Sequence, residues 1–184
     1  MNVLVACEFS GRVRDEFMKR GYYALSCDYL PSETRGCHYE GWLEDLLDKE
    51  PSWDLMIAFP PCTYLASSGA RWNQKRKRLQ ADAIDFVKWL WNQPEIEKIC
   101  IENPVGVLST EFKKPSQYIQ PWQFGHGETK KTCLWLKNLP RLKPTNIVPG
   151  RKPRVHYESP GPDRWKNRSR TYPGVARAMA EQWG

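Results

Sequence analysis

Short apolar runs alternate with amphipathic stretches along this chain. Residues 2–7 (NVLVAC) form a first apolar run, and residues 11–20 (GRVRDEFMKR) follow with helical spacing before Gly21. Residues 22–27 read as a second strand, closed by Asp28, and residues 42–48 as one or two helical turns. Residues 53–59 (WDLMIAF) form a strand that runs into Pro60-Pro61. Residues 79–91 place apolar side chains on a wide helical face, and residues 98–101 (KICI) make another buried strand, ending at Glu102-Asn103-Pro104. Residues 132–136 (TCLWL) are a later strand, and residues 140–164, rich in Pro, Gly and Arg, read as irregular. Residues 173–183 close as a helix, with Pro173 suited to its first turn.

Apolar strands alternating with amphipathic helices predict an α/β fold, a single Rossmann-like domain over residues 1–184. Its sheet is expected to be mostly parallel, with helices on both faces. Ligands of such sheets bind beyond the carboxyl ends of the strands. The polar clusters fall there: Glu8-Phe9-Ser10-Gly11, Asp28, Pro60-Pro61-Cys62-Thr63 and Glu102-Asn103-Pro104. No internal repeat is present.

Length and composition narrow the picture. A chain of 184 residues with 40% hydrophobic residues suits one core. No apolar run approaches bilayer length. The first residues lack a basic leader and a small-residue cleavage site, so a cytoplasmic protein without a membrane anchor is expected.

The six cysteines form no CxxC pair. Cys7, Cys27, Cys100 and Cys133 lie within apolar runs and read as reduced core residues. Cys37-His38 has no second pair at ligand spacing, so no metal is expected.

The net charge of +7 is concentrated. Residues 141–170 hold nine basic residues and two acids, Glu158 and Asp163, while the rest of the chain is neutral. Such a segment suits a polyanion, with DNA or a nucleotide first, and Trp165 and Tyr172 interleave with it as possible stacking surfaces. Lys75-Arg76-Lys77-Arg78 reads equally as a solvated helix start or a phosphate contact.

Cys62 stands apart from the other cysteines. Two prolines end the strand before it and fix the backbone, which places its thiol on a rigid loop at the rim. That arrangement suits a nucleophile. Glu102 ends the next long strand, where a carboxyl group beside a thiol can act as an acid or as a donor to a ring nitrogen.

On these residues the chain resembles the DNA cytosine-5 methyltransferases. Phe59-Pro60-Pro61-Cys62 looks like that family's Pro-Cys motif, and Glu102-Asn103-Pro104 is similar to its Glu-Asn-Val motif. Glu128, Lys130 and Thr132 stand in order where the family has Gln-x-Arg-x-Arg, and residues 168–183 resemble its closing helix.

The resemblance implies a methyl donor, S-adenosyl-L-methionine, and a transient bond from Cys62 to C6 of cytosine. Glu102, with Asn103 beside it, would engage N3 and the exocyclic amine, and Lys130 the base or its phosphate. Glu8, Ser10, Gly11, Asp28, Asp45 and Pro60 become the candidate cofactor contacts.

Two departures stand out. Only Gly11 survives of the family's glycine-rich turn. Residues 137–168, Pro-rich and basic, occupy the place of a target-recognition domain, so weak sequence specificity is expected. A modified donor, for which Arg12 and Arg14 would suit an extra negative charge, or a free-nucleotide substrate is a second reading. A non-catalytic DNA-binding module is a third.

Overall fold

The computed structural model describes residues 1–49, 52–67 and 76–184. Seven strands form one sheet: β1 (Asn2–Ala6), β2 (Tyr23–Asp28), β3 (His38–Glu40), β4 (Leu55–Ala58), β5 (Lys98–Pro104), β6 (Gln117–Ile119) and β7 (Thr132–Lys137). The helices are α1 (Arg12–Met18), α2 (Leu43–Lys49), α3 (Lys77–Trp91), α4 (Leu108–Glu111), α5 (Arg164–Ser169) and α6 (Pro173–Trp183).

The strand order is β3-β2-β1-β4-β5-β7-β6. All pairings are parallel except those of β7, which runs against both β5 and β6. This is the Rossmann-like topology of the class I methyltransferases.

The apolar runs predict this layering because the central strands must be covered on both faces. Leu4, Ala6, Met56, Ala58, Ile99 and Ile101 face Leu43, Leu46, Ile84, Val87 and Leu90 of α2 and α3. Val3, Val5, Leu55, Ile57 and Cys100 face Val13 and Phe17 of α1 and Val175, Ala176, Met179 and Trp183 of α6.

Three details position the site. β1 lies between β2 and β4, so successive strands leave it in opposite directions and open a crevice at its carboxyl end. The antiparallel β7 starts where β5 ends, with Thr132 opposite Pro104, which brings Lys130 to the edge that carries Glu102. Residues 138–163 contain no helix or strand, and α5 then folds back over that edge.

The cysteines divide as their places in the sheet require. Cys27, Cys100 and Cys133 are buried, whereas Cys7 leaves the core pattern. It is left-handed (φ 58°), so β1 ends one residue earlier than the apolar run. His38 bridges Ser26 Oγ at 2.8 Å and the Leu30 carbonyl at 2.9 Å, which makes it a brace for β3. Among the described residues, no three His, Cys, Asp or Glu side chains are grouped to hold a metal ion. No helix among them is long and apolar enough to cross a membrane. Of the basic run 75–78, Lys75 lies outside the described residues; Lys77 and Arg78 open α3.

Candidate active site

A cavity of about 470 Å³ lies over the carboxyl ends of β1, β4 and β5. Its floor is built from Cys7–Ser10, Phe59–Thr63 and Glu102–Val105, with Lys130 and Lys131 at one side. Val155, His156, Trp165 and Arg168–Thr171 form its roof. The sequence-predicted Cys62, Glu102, Asn103 and Lys130 therefore share one cavity, together with Glu8, Ser10 and Pro60. Gly11, Asp28 and Asp45 are not on its wall.

The Cys62 loop is laced to the end of β5. Asn103 Nδ2 donates to the Pro60 carbonyl at 2.8 Å, and the buried Asn103 Oδ1 has no partner. The Cys62 carbonyl accepts from Leu65 N (3.0 Å) and Ala66 N (2.9 Å). Ser67 N then donates to Val105 O at 3.0 Å, and Val107 N to Leu65 O at 2.9 Å. Asn103 thus fixes the Cys62 loop against the end of β5.

Cys62 is the exposed cysteine among the six. Its thiol is pushed up from the ordinary value, first by desolvation and then by the Glu102 charge. Lys130 and Arg168 pull it back down in part. The resting sulfur is a thiol. Glu102 is also pushed up, by burial, against the opposing pull of Lys130. A carboxyl group held towards its protonated form is a hydrogen-bond donor as well as an acceptor. Among the described residues no protein group hydrogen-bonds to the Glu102 side chain, which leaves it open to a ligand. Lys130 Nζ donates to the Arg168 carbonyl at 2.9 Å, so it joins the site to the roof.

The side chains of the β1–α1 turn are engaged within the fold. Glu8 is buried, and Oε1 accepts from Val13 N at 2.8 Å while Oε2 accepts from Arg14 N at 3.3 Å. Its carboxylate caps α1, and Ser10 Oγ donates to it at 3.1 Å. Gly11 is needed for its backbone: φ is 69°, and a Cβ there would lie 2.1 Å from Thr34 Oγ1. The guanidinium of Arg14 is buried and held by Asp15, Ser26 and Thr34, and Arg12 donates to the Thr171 carbonyl at 2.8 Å. Neither arginine stands unengaged to receive a ligand charge.

The Cys7–Ser10 end of the cavity lies near several acidic groups. Asp28 accepts from Leu30 N at 3.0 Å, and the neighbouring Cys7 thiol is pushed up by burial, with the Asp28 and Glu44 charges adding to it. Carboxylates beside the β1 end suit ribose hydroxyls. Asp45 is exposed on α2. Trp42, 70% exposed, immediately follows Gly41, whose N–H donates to the Asp28 carbonyl at 3.0 Å. The sequence pattern gave no reason to single out this aromatic residue beside the acids.

The basic segment is partly committed to the fold. Arg170 grips Glu33, with Nε 2.8 Å from Oε2 and Nη2 2.5 Å from Oε1. Arg154 approaches Glu128 at 3.6 Å, and Arg151 lies 3.9 Å over the Trp122 ring. Trp165 packs beside Phe9 (5.9 Å between ring centroids) and remains half exposed. Tyr172 does not offer a stacking surface in the same way. Its hydroxyl donates to Glu128 Oε2 at 2.7 Å, and its ring meets His126.

Comparison with known proteins gives no family model and no curated protein that matches the chain. The strand order carries the likeness. The fold is that of the S-adenosylmethionine-dependent methyltransferases. Its ligand crevice coincides with the cavity that holds Cys62 and Glu102.

Proposed function

We propose that this chain is a methyltransferase acting on C5 of cytosine in DNA, through a transient bond to Cys62. The observation that carries the reading is the placement of the Cys62 thiol and a Glu102 carboxyl shifted towards its protonated form on the wall of one cavity, at the switch point of this fold.

C5 of cytosine is a weak nucleophile. Addition of the Cys62 sulfur to C6, with Glu102 donating to N3, moves electron density onto C5. S-adenosylmethionine, when bound, supplies an activated methyl group on a sulfonium sulfur. Cys62 holds C6 while C5 gains the methyl carbon and then loses its proton to solvent. Expulsion of the Cys62 thiolate restores the ring, and the N3 proton returns to Glu102. Because the resting sulfur is a thiol, its proton is released to solvent as the base binds, with Lys130 and Arg168 stabilising the thiolate that adds to C6. A base inside duplex DNA must leave the stack to reach this cavity.

The donor is held at the Cys7–Ser10 end and extends past the cavity wall towards Asp28 and Glu44, whose carboxylates offer acceptors for ribose hydroxyls. Trp42 offers a face for the adenine ring.

DNA is engaged by the basic 141–170 segment, mainly through phosphates, so binding weakens steeply with salt. That segment carries little regular structure for base-edge reading, and sequence preference is low. The folding of residues 155–171 over the cavity favours a second reading, in which the substrate is a free nucleotide or an unpaired strand.

The test is transfer of tritiated methyl from S-adenosylmethionine to mixed-sequence DNA, with product nucleosides identified by mass spectrometry. Label in 5-methylcytosine that disappears in Cys62→Ala supports the reading. Undiminished transfer in Cys62→Ala overturns it.

A further inference from the structure

The roof of the cavity contains a cation whose charge the protein leaves unanswered. Arg170 is paired with Glu33, and Arg154 with Glu128. Arg12 and Lys130 are engaged on the carbonyls of Thr171 and Arg168. The Arg168 guanidinium, half-buried in the cavity wall, has no hydrogen bond or ion pair among the described residues. Removing a guanidinium from water without a partner costs free energy, and the cost is recovered when an anion arrives.

Arg168 is also held in place by its surroundings. Lys130 Nζ fixes its carbonyl at 2.9 Å. Two residues later the Arg170–Glu33 pair clasps the chain to the loop after β2, and Arg12 secures Thr171. The backbone is tethered on several sides while the guanidinium faces the cavity. Its planar fork matches two phosphate oxygens.

The ring chemistry identifies the anion. In cytosine, C6 and N3 lie across the ring from each other, and N1, bonded to C6, carries the sugar. A base with C6 at Cys62 and N3 at Glu102 therefore sends its sugar and phosphate out on the sulfur side. Arg168 and Cys62 line the same cavity, and the Arg168 charge is among those that act on the Cys62 thiol, so a phosphate leaving on the sulfur side enters its field.

We infer that Arg168 binds the phosphate of the nucleotide whose base lies between Cys62 and Glu102. The inference rests on the cytosine reading and adds to it a built phosphate subsite contributed by the basic segment. The same chemistry is presented by a free nucleotide's terminal phosphate and by a phosphodiester within a strand.

The experiment is equilibrium binding to the full chain without methyl donor, by titration calorimetry. The ligands are dCMP, deoxycytidine and the trinucleotide TpCpT, with S-adenosylhomocysteine titrated separately. The expected result is dCMP bound about 10- to 100-fold more tightly than deoxycytidine. In Arg168→Gln that preference falls below about threefold, and Arg168→Lys, which keeps the charge without the fork, retains part of it. Weakened TpCpT binding in Arg168→Gln, with no preference for dCMP over deoxycytidine in the unaltered chain, also supports the subsite and places its phosphate within a strand.

The inference is overturned if Arg168→Gln retains the full preference for dCMP, or if it leaves TpCpT binding unchanged while neither monomer is preferred. Absence of binding by all three ligands overturns it as well. A loss in Arg168→Gln confined to S-adenosylhomocysteine assigns the guanidinium to a donor carboxylate and also overturns it. Circular dichroism of each variant, with the Lys variant as the conservative control, separates these outcomes from misfolding. Cys62-dependent methyl transfer without phosphate discrimination removes only the Arg168 subsite. Phosphate discrimination without methyl transfer removes only the methylation reading.

Discussion

The side-chain amide of Asn103 donates to the carbonyl of Pro60 at 2.8 Å, which joins the end of β5 to the loop that presents Cys62. Both groups are buried. Asn103→Ala leaves that carbonyl unsatisfied and is expected to cost about 1–3 kcal/mol of stability, measured by urea unfolding. Asn103→Asp is expected to be worse at neutral pH, because an ionised carboxylate faces a carbonyl and cannot donate. Equal stability of Asn103→Ala and the unaltered chain would remove the bond from any positioning role.

The reactivity of Cys62 gives a second expectation. Burial, and after it the Glu102 charge, raise its pKa. Iodoacetamide labelling of Cys62, followed by peptide mass spectrometry, is expected to rise with pH along a curve displaced above that of a free thiol. Glu102→Gln removes a negative neighbour and moves the curve down, while Lys130→Met removes a positive one and moves it up. Superimposed curves for the three proteins would contradict the shared pocket.

His126 makes the stability sensitive to acid. Its Nε2 accepts from Gly174 N at 3.0 Å at the start of α6, which requires the neutral ring. Burial lowers its pKa, with Arg12 and Arg177 adding to the shift and Glu128 opposing it. The unfolded chain binds this proton more readily, so the contribution is full above the unfolded value, about 6.5, and is lost as pH falls through the folded one. His126→Gln is expected to cost about 1 kcal/mol at pH 7.5. The cost should shrink towards pH 5, because the unaltered chain then pays for its own protonation. Comparing the two proteins cancels the background of Glu8, Asp28 and Glu102, whose raised values favour the fold on acidification.

Gly106 permits the contact between the two loops that frame the site. A Cβ at this position would lie 1.8 Å from the Leu65 carbonyl oxygen. Gly106→Ala must displace the segment that follows Cys62, at an expected cost of about 1–3 kcal/mol. Methyl transfer should fall further than the stability loss explains. An alanine variant with the same labelling rate at Cys62 and the same transfer rate would show that the two loops move independently.

Legibility in the sequence followed the strength of each local signal. The runs at 2–7, 53–59 and 98–101 named the central strands because a strand covered on both faces must be apolar throughout. Cys62 and Glu102 were legible as a pair because each closely follows such a run, and the parallel order puts those ends on one edge. β3 and β6, three residues each at the margins of the sheet, carry no apolar alternation and left no signal. The reversal of β7 was hidden because strand direction is set by the chain before it, not by its own residues. α5 has Trp165 as its one large apolar residue, so it read as irregular. The capping of α1 by Glu8 depends on left-handed residues at Cys7 and Gly11 turning the backbone around it, which the residue pattern does not reveal.

Glu8 has a consequence for selectivity. The first turn of α1 already has its counter-ion, supplied from within the chain, and a visiting molecule with an amino-acid tail finds no unclaimed amides there. Recognition at that end of the cavity consequently falls to the nucleoside portion, so methylthioadenosine, stripped of that tail, should compete almost as well as S-adenosylhomocysteine.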